Sequence, residues 1–171
     1  MDFLYLIFLW LPEASVSGCG GKPWLHRPVP AVCRILCRNV RGLATNLSDL
    51  TVASSQYDIL LCSETLVSDM RHVSEVLVPG FCRPVVLCRG KMPRACGFAA
   101  YVRDGYGTFR RPKFECVCFE MLFFRVCGVR QNLYVYSLYR NPDLDDRIFY
   151  CLLASKWLLW QPLLRQFQTC V

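Results

Sequence analysis

The segment Asp58-Ile59-Leu60-Leu61-Cys62-Ser63 limits the fold more than any other stretch of the chain. Its apolar residues run on without alternating with polar ones. A short strand of that kind is at home only where both faces of a sheet are covered, as in a parallel pair. The run delivers Glu64 at its C-terminal end. Upstream, Val32 to Val40 mixes apolar and basic positions and closes in Asn39-Val40-Arg41-Gly42, which reads as a first strand and its exit turn. Between the two, Leu43, Leu47, Leu50 and Ala53 follow helical spacing, with Asn46, Ser48 and Asp49 on the other face and Thr45 as the expected N-cap. Strand, helix and strand make a βαβ unit with parallel strands. Asn39 and Glu64 are therefore expected at one sheet edge, where open α/β sheets place their ligand sites.

After Pro79-Gly80 the pattern changes to short runs between turns: Pro84 to Cys88, Phe98 to Val102, Val117 to Val126 and Leu133 to Tyr139. These read as antiparallel strands. Pro142 stops the last of them. Asp143, Asp145 and Asp146 then crowd the first turn of an expected helix, where negative charge suits the dipole, and Leu144, Ile148, Cys151 and Leu152 form its expected buried stripe.

The chain carries 20 basic and 13 acidic residues, a net charge of +7, and the excess is concentrated. Arg83, Arg89, Lys91, Arg94, Arg103, Arg110, Arg111 and Lys113 face a single acid, Asp104, so the rest of the chain is neutral. Most of these cations fall in the turns Arg89-Gly-Lys-Met-Pro-Arg94 and Phe109-Arg-Arg-Pro-Lys113. A basic comb on a sheet edge suits a polyanion such as nucleic acid, and a solvated surface with no partner is the plain alternative. With 54% hydrophobic and 19% charged residues, a disordered tail is excluded.

Twelve cysteines show no zinc-site spacing, and His26 and His72 lie far from the tight pairs Cys33/Cys37 and Cys116/Cys118. Several sit in apolar runs, where a thiol packs as a small hydrophobe. Phe3 to Leu11 is continuously apolar and is followed by small residues. It has the length of a signal-peptide core, but Asp2 stands where a positive residue is usual; a leader, a genuine extra segment and spurious upstream translation all remain open. The run is too short for a membrane span of roughly 20 residues. Residues 12 to 31, rich in Gly, Pro and Ser, read as a linker.

Four motifs in order carry a resemblance: Asn39-Val40-Arg41-Gly42-Leu43, Asp58-Ile59-Leu60-Leu61 to Glu64-Thr65, Gly97-Phe98-Ala99-Ala100-Tyr101-Val102, and Tyr136-Ser137-Leu138-Tyr139-Arg140-Asn141-Pro142. Together they resemble the N-terminal half of the endonuclease/exonuclease/phosphatase family, and within it the apurinic-type endonuclease domain of non-LTR (LINE-type) retrotransposons. The resemblance spans residues 32–155, leaving 1–31 as an apolar segment plus linker and 156–171 as an unrelated hydrophobic tail. It implies an α/β fold, half of a four-layered α/β sandwich with a mixed, mostly antiparallel sheet and flanking helices. It also implies a Mg²⁺-dependent phosphodiesterase site that nicks DNA, in a nuclear or cytoplasmic protein with no membrane role. Carried over by position, Glu64 is a Mg²⁺ ligand, Asn39 orients the phosphate or the attacking water, and Tyr139 contacts the scissile phosphate. Arg89, Lys91, Arg94, Arg110, Arg111, Lys113 and Arg140 are the expected DNA contacts.

The family's C-terminal half brings an Asp-x-Asn motif and a Ser-Asp-His motif, and neither occurs in this sequence. Ser68-Asp69-Met70 matches part of the second but lies too early. The expectation is a truncated domain whose high hydrophobic fraction reflects a sheet without its partner, inactive in cleavage. A non-catalytic nucleic-acid-binding remnant and a secreted cysteine-rich protein are the competing readings.

Overall fold

The computed structural model describes residues 4–12, 33–67, 70–88, 97–115, 120–127 and 131–139, and, further on, 145, 147, 148, 150, 151 and 153–155. In chain order the strands are β1 (Leu4–Pro12), β2 (Ile35–Asn39), β3 (Ile59–Ser63), β4 (Val85–Leu87), β5 (Phe98–Val102), β6 (Gly107–Arg110), β7 (Glu120–Cys127) and β8 (Gln131–Tyr139), and the α-helix α1 (Leu47–Ser54) follows β2. Among the described residues they form two four-stranded sheets, ordered β2-β3-β5-β4 and β1-β8-β7-β6. The fold is thus of the α/β kind, with few helices and much sheet.

The non-alternating run behaves as its composition requires. Every residue of β3 is buried. β2 lies parallel to it, Asn39 opposite Ser63, and β5 pairs on its other side antiparallel. Side chains of β3 alternate between two cores. Leu60 and Cys62 join Val40, Leu43, Leu50, Val73, Val76 and Tyr101 in a cluster beneath α1 and the 3-10 segment Met70–Val76. Ile59 and Leu61 join Phe98, Ala100 and Val102, together with Leu122, Phe124, Val126, Leu133 and Val135 of the second sheet. That second cluster is the seam between the sheets.

Local details differ from the sequence reading where side chains find other partners. The N-cap of α1 is Asn46, not Thr45, and its side chain makes no capping bond. Its Nδ2 instead donates to the carbonyls of Val40 (2.9 Å) and Gly42 (3.1 Å), and Thr45 Oγ1 donates to Gly42 O (3.0 Å), so both residues stabilise the turn before the helix. Asp145 Oδ1 accepts from Arg147 N–H at 2.8 Å and Ile148 N–H at 3.3 Å, while Asp143 and Asp146 lie outside the described residues. Of the buried stripe expected in that helix, Ile148 is 53% exposed and Cys151 is exposed as well, while Leu144 and Leu152 lie outside the described residues. The apolar run Leu4–Pro12 is an edge strand, antiparallel to β8 along its whole length. β6, read from the sequence as a turn, is the opposite edge of the same sheet. Among the described residues no helix is long and apolar enough to cross a membrane.

Arg103 ties down the end of the sheet remote from Asn39. Its guanidinium donates to Ser54 O (2.9 Å) and Tyr57 O, pairs with Asp58 (3.8 Å) and lies 4.9 Å from the centroid of the Phe81 ring. In the helix-side core, burial pushes the Cys62 thiol up to about 12, with Arg38 opposing and Cys37 adding. In the unfolded chain the same thiol ionises near its ordinary value of about 8.5, so above that pH the folded state binds more protons. Stability is therefore complete below that value and falls as pH rises towards the folded value. The slope from this thiol is at most about 1.4 kcal/mol per pH unit. Urea unfolding between about pH 8 and about pH 10.5 should show stability falling in the wild type, where burial also raises the Cys33 and Cys37 thiols, and Cys62→Ala should reduce the slope by up to the amount given for this thiol.

Candidate functional site

The ladder between β2, β3 and β5 continues beyond the strands at one end. Val40 N–H donates to Ser63 O (3.0 Å), Gly42 N–H to Glu64 O (2.8 Å), Leu43 N–H to Thr65 O (2.9 Å) and Thr65 N–H to Gly97 O (3.2 Å). Two loops and a strand entrance are thereby fixed to each other, and Asn39 and Glu64 sit at the same edge, as the βαβ reading expects.

This edge is also where the backbone departs from ordinary conformations. Arg41 (φ 45), Glu64 (φ 53) and Leu66 (φ 56) are non-glycine residues in the left-handed region. Such residues cost of order 1–3 kcal/mol each and cluster where geometry serves a site. Gly97 (φ 91) has a second constraint, because a Cβ there would stand 2.7 Å from Thr65 Oγ1. Gly105 has a similar φ of 95, in the turn after Arg103 at the opposite end. Gly97→Ala and Gly105→Ala should each lose about 1–3 kcal/mol in chemical unfolding. Of the two, only Gly97→Ala should weaken the binding described below, because its Cβ displaces Thr65 beside Glu64.

Asn39 Oδ1 accepts the Arg41 N–H at 3.2 Å, which fixes the carboxamide, while its Nδ2 is buried and has no partner among the described residues. The Oγ of Ser63 and Oγ1 of Thr65 are likewise buried without partners. Buried polar groups are nearly always bonded, so three orphans at one edge are a departure from the ordinary interior. Beside them, Arg41, Thr45, Thr65, Leu66 and Glu75 help line a cleft of about 370 Å³.

The second sheet points the same way. Arg110 Nη1 donates to Val86 O at 3.1 Å, tying β6 to β4. From there β6 leads to Arg111 and Lys113, both exposed, and the register places the end of β8, Tyr139, opposite Glu120 at the start of β7. Tyr139 thus ends its strand at the sandwich end that carries Asn39 and Glu64. Residues 89–96, with Arg89, Lys91 and Arg94, lie outside the described residues, as does Arg140. Cys88 and Gly97, which bracket 89–96, both stand at this same end, since Leu87 pairs with Phe98 and Phe98 with Ser63.

Arg110 is differently engaged. Its guanidinium forms a double bond-pair with Glu115 (2.9 and 2.7 Å), and the Glu115 side chain is only 8% exposed. The pairing holds the Arg110 guanidinium above its already high ordinary value. Its charge is paired with the Glu115 carboxylate.

Among the described residues, no three His, Cys, Asp or Glu side chains gather as a metal site. Sequence reasoning found Asn39 and Glu64 by strand ends but missed Ser63, Thr65 and Gly97. A glycine immediately before the Phe98 strand is a visible signal; its closeness to Thr65 emerges only from strand pairing. In comparisons with family models, curated proteins and solved structures, nothing matches this chain.

Proposed function

We propose that this chain engages the phosphodiester backbone of DNA at the end of its two sheets that carries Asn39 and Glu64. In this reading it is the phosphate-holding half of a Mg²⁺-dependent phosphodiesterase domain of the endonuclease/exonuclease/phosphatase kind, as in non-LTR retrotransposon endonucleases. The two packed sheets with a helix layer on one side are then part of a four-layered sandwich. The observation that carries the proposal is Asn39: its acceptor is occupied by Arg41 and its buried donor is unfilled. The amide NH₂ can only donate, which suits a phosphate oxygen.

Glu64 supplies the carboxylate. Magnesium is commonly held by one or two carboxylates together with substrate phosphates, so this donor set fits an ion shared between Glu64 and the phosphodiester. Bound there, Mg²⁺ would polarise the phosphate and offset its charge. Tyr139 is assigned to the phosphate by the resemblance and by its strand end. No Asp-x-Asn or Ser-Asp-His segment is present to activate water. Binding without cleavage is therefore the activity that the residues support.

The test is fluorescence anisotropy with a short labelled duplex. Asn39→Ala should bind about tenfold more weakly, the loss of one charge-assisted hydrogen bond. Asn39→Asp, which replaces the donor by a negative acceptor, should lose more. Wild-type affinity in both variants would overturn the proposal.

A further inference from the structure

We infer that Ser63 and Ser137 join the Asn39 amide in a second, inward-facing oxyanion site between the two sheet ends, one that takes a phosphodiester oxygen of DNA. The inference rests on the reading of this end as a phosphodiester site, and adds to it donors from the second sheet. Ser63 is 1% exposed and Ser137 0%, and the hydroxyl oxygen of each is buried without a partner among the described residues. Alternation places both in the seam: Ser63 follows Ile59 and Leu61 on β3, and Ser137 follows Leu133 and Val135 on β8. Asn39 has the same parity as Ile35 and Cys37, which pack on that seam. Three polar groups from two sheets therefore interrupt one apolar layer at one end.

Among the described residues nothing in the seam hydrogen-bonds these hydroxyls. Alanine would satisfy the packing at either position without stranding a donor, yet the chain has serine at both. Asn39 Nδ2 can only donate, and hydroxyls can donate freely, so the set is complementary to a ligand rich in acceptors. A phosphate oxygen has the lone pairs to take several donors at once, and its charge makes each such bond stronger than a neutral one. Arg111 and Lys113, exposed at the same end of the neighbouring sheet, add positive charge there that favours an anion.

Ser63→Ala, Ser137→Ala and the double variant test this with two readouts, the thermal midpoint without ligand and the affinity for a short duplex. Removing an unfilled hydroxyl should leave the midpoint unchanged or raise it. Duplex affinity should fall about fivefold for each serine and more than tenfold for the pair. Inorganic phosphate should compete for the wild type better than chloride at equal ionic strength, and this advantage should vanish in the double variant. If the hydroxyls instead hold a buried water, the midpoints fall and affinity does not change, which overturns the inference. Unchanged affinity in the serine variants alongside weak binding by Asn39→Ala overturns the serine site and leaves the broader reading standing. A wild type that binds no duplex overturns both.

Discussion

Raising salt from about 50 mM to about 200 mM should weaken duplex binding roughly a thousandfold. Six cations remain as candidate phosphate contacts: Arg89, Lys91, Arg94, Arg111, Lys113 and Arg140. Each neutralised phosphate releases condensed counterions, giving a slope of about −0.9 per contact and roughly −5 for the set in a plot of log affinity against log salt. Arg110 is left out because Glu115 already neutralises it. Two variants separate these roles. Arg111→Ala should flatten the slope by about one unit with little effect on folding. Arg110→Ala should leave the slope alone and destabilise the fold by about 3 kcal/mol, because it abandons the largely buried Glu115 carboxylate. A slope near zero in the wild type would reduce the basic block to a solvated surface.

In supercoiled-plasmid assays the chain should nick DNA at background, with saturating Mg²⁺ and with chelator alike. Loss of the groups that handle the proton of the attacking water costs typically 10²–10⁴-fold. Missing donors at the developing charge cost a further factor of about 10²–10³ each. In the proposed reading Asn39 and Glu64 hold a phosphate, but among the described residues no group of three His, Cys, Asp or Glu side chains forms a metal cluster, and the sequence carries neither motif that would complete the chemistry. Metal-dependent nicking that disappears in Glu64→Gln would show that these two residues suffice for cleavage, and the binding-only account would fail.

The part of this site that could be read from the sequence is the part fixed by local pattern. Ile59 to Cys62 is apolar without alternation, and a run like that has few places to go, so the parallel pair and its edge residues Asn39 and Glu64 follow from it. Contacts that depend on distant partners were not legible. Leu4–Pro12 has the composition of a leader core and becomes a strand only through β8, more than a hundred residues away. Gly107–Arg110 carries turn-like residues, yet it pairs with β7, and the Phe109 ring on this edge is covered by the Arg125 guanidinium at 5.0 Å. Ile148 and Cys151 keep helical spacing without finding a core. Ser63 and Ser137 look like tolerated small residues in apolar strands. What marks them is the missing partner, which is a property of the assembled sheets.

The most direct measurement follows the Asn39 side-chain amide by ¹⁵N–¹H NMR while a short duplex is titrated into the protein. The account predicts that the Nδ2 protons shift progressively and saturate with the same affinity that anisotropy reports, as the unfilled donor takes a phosphate oxygen. Saturation of backbone signals at Arg111 and Lys113 with the Asn39 amide unmoved would place the DNA on the basic edge alone and contradict it.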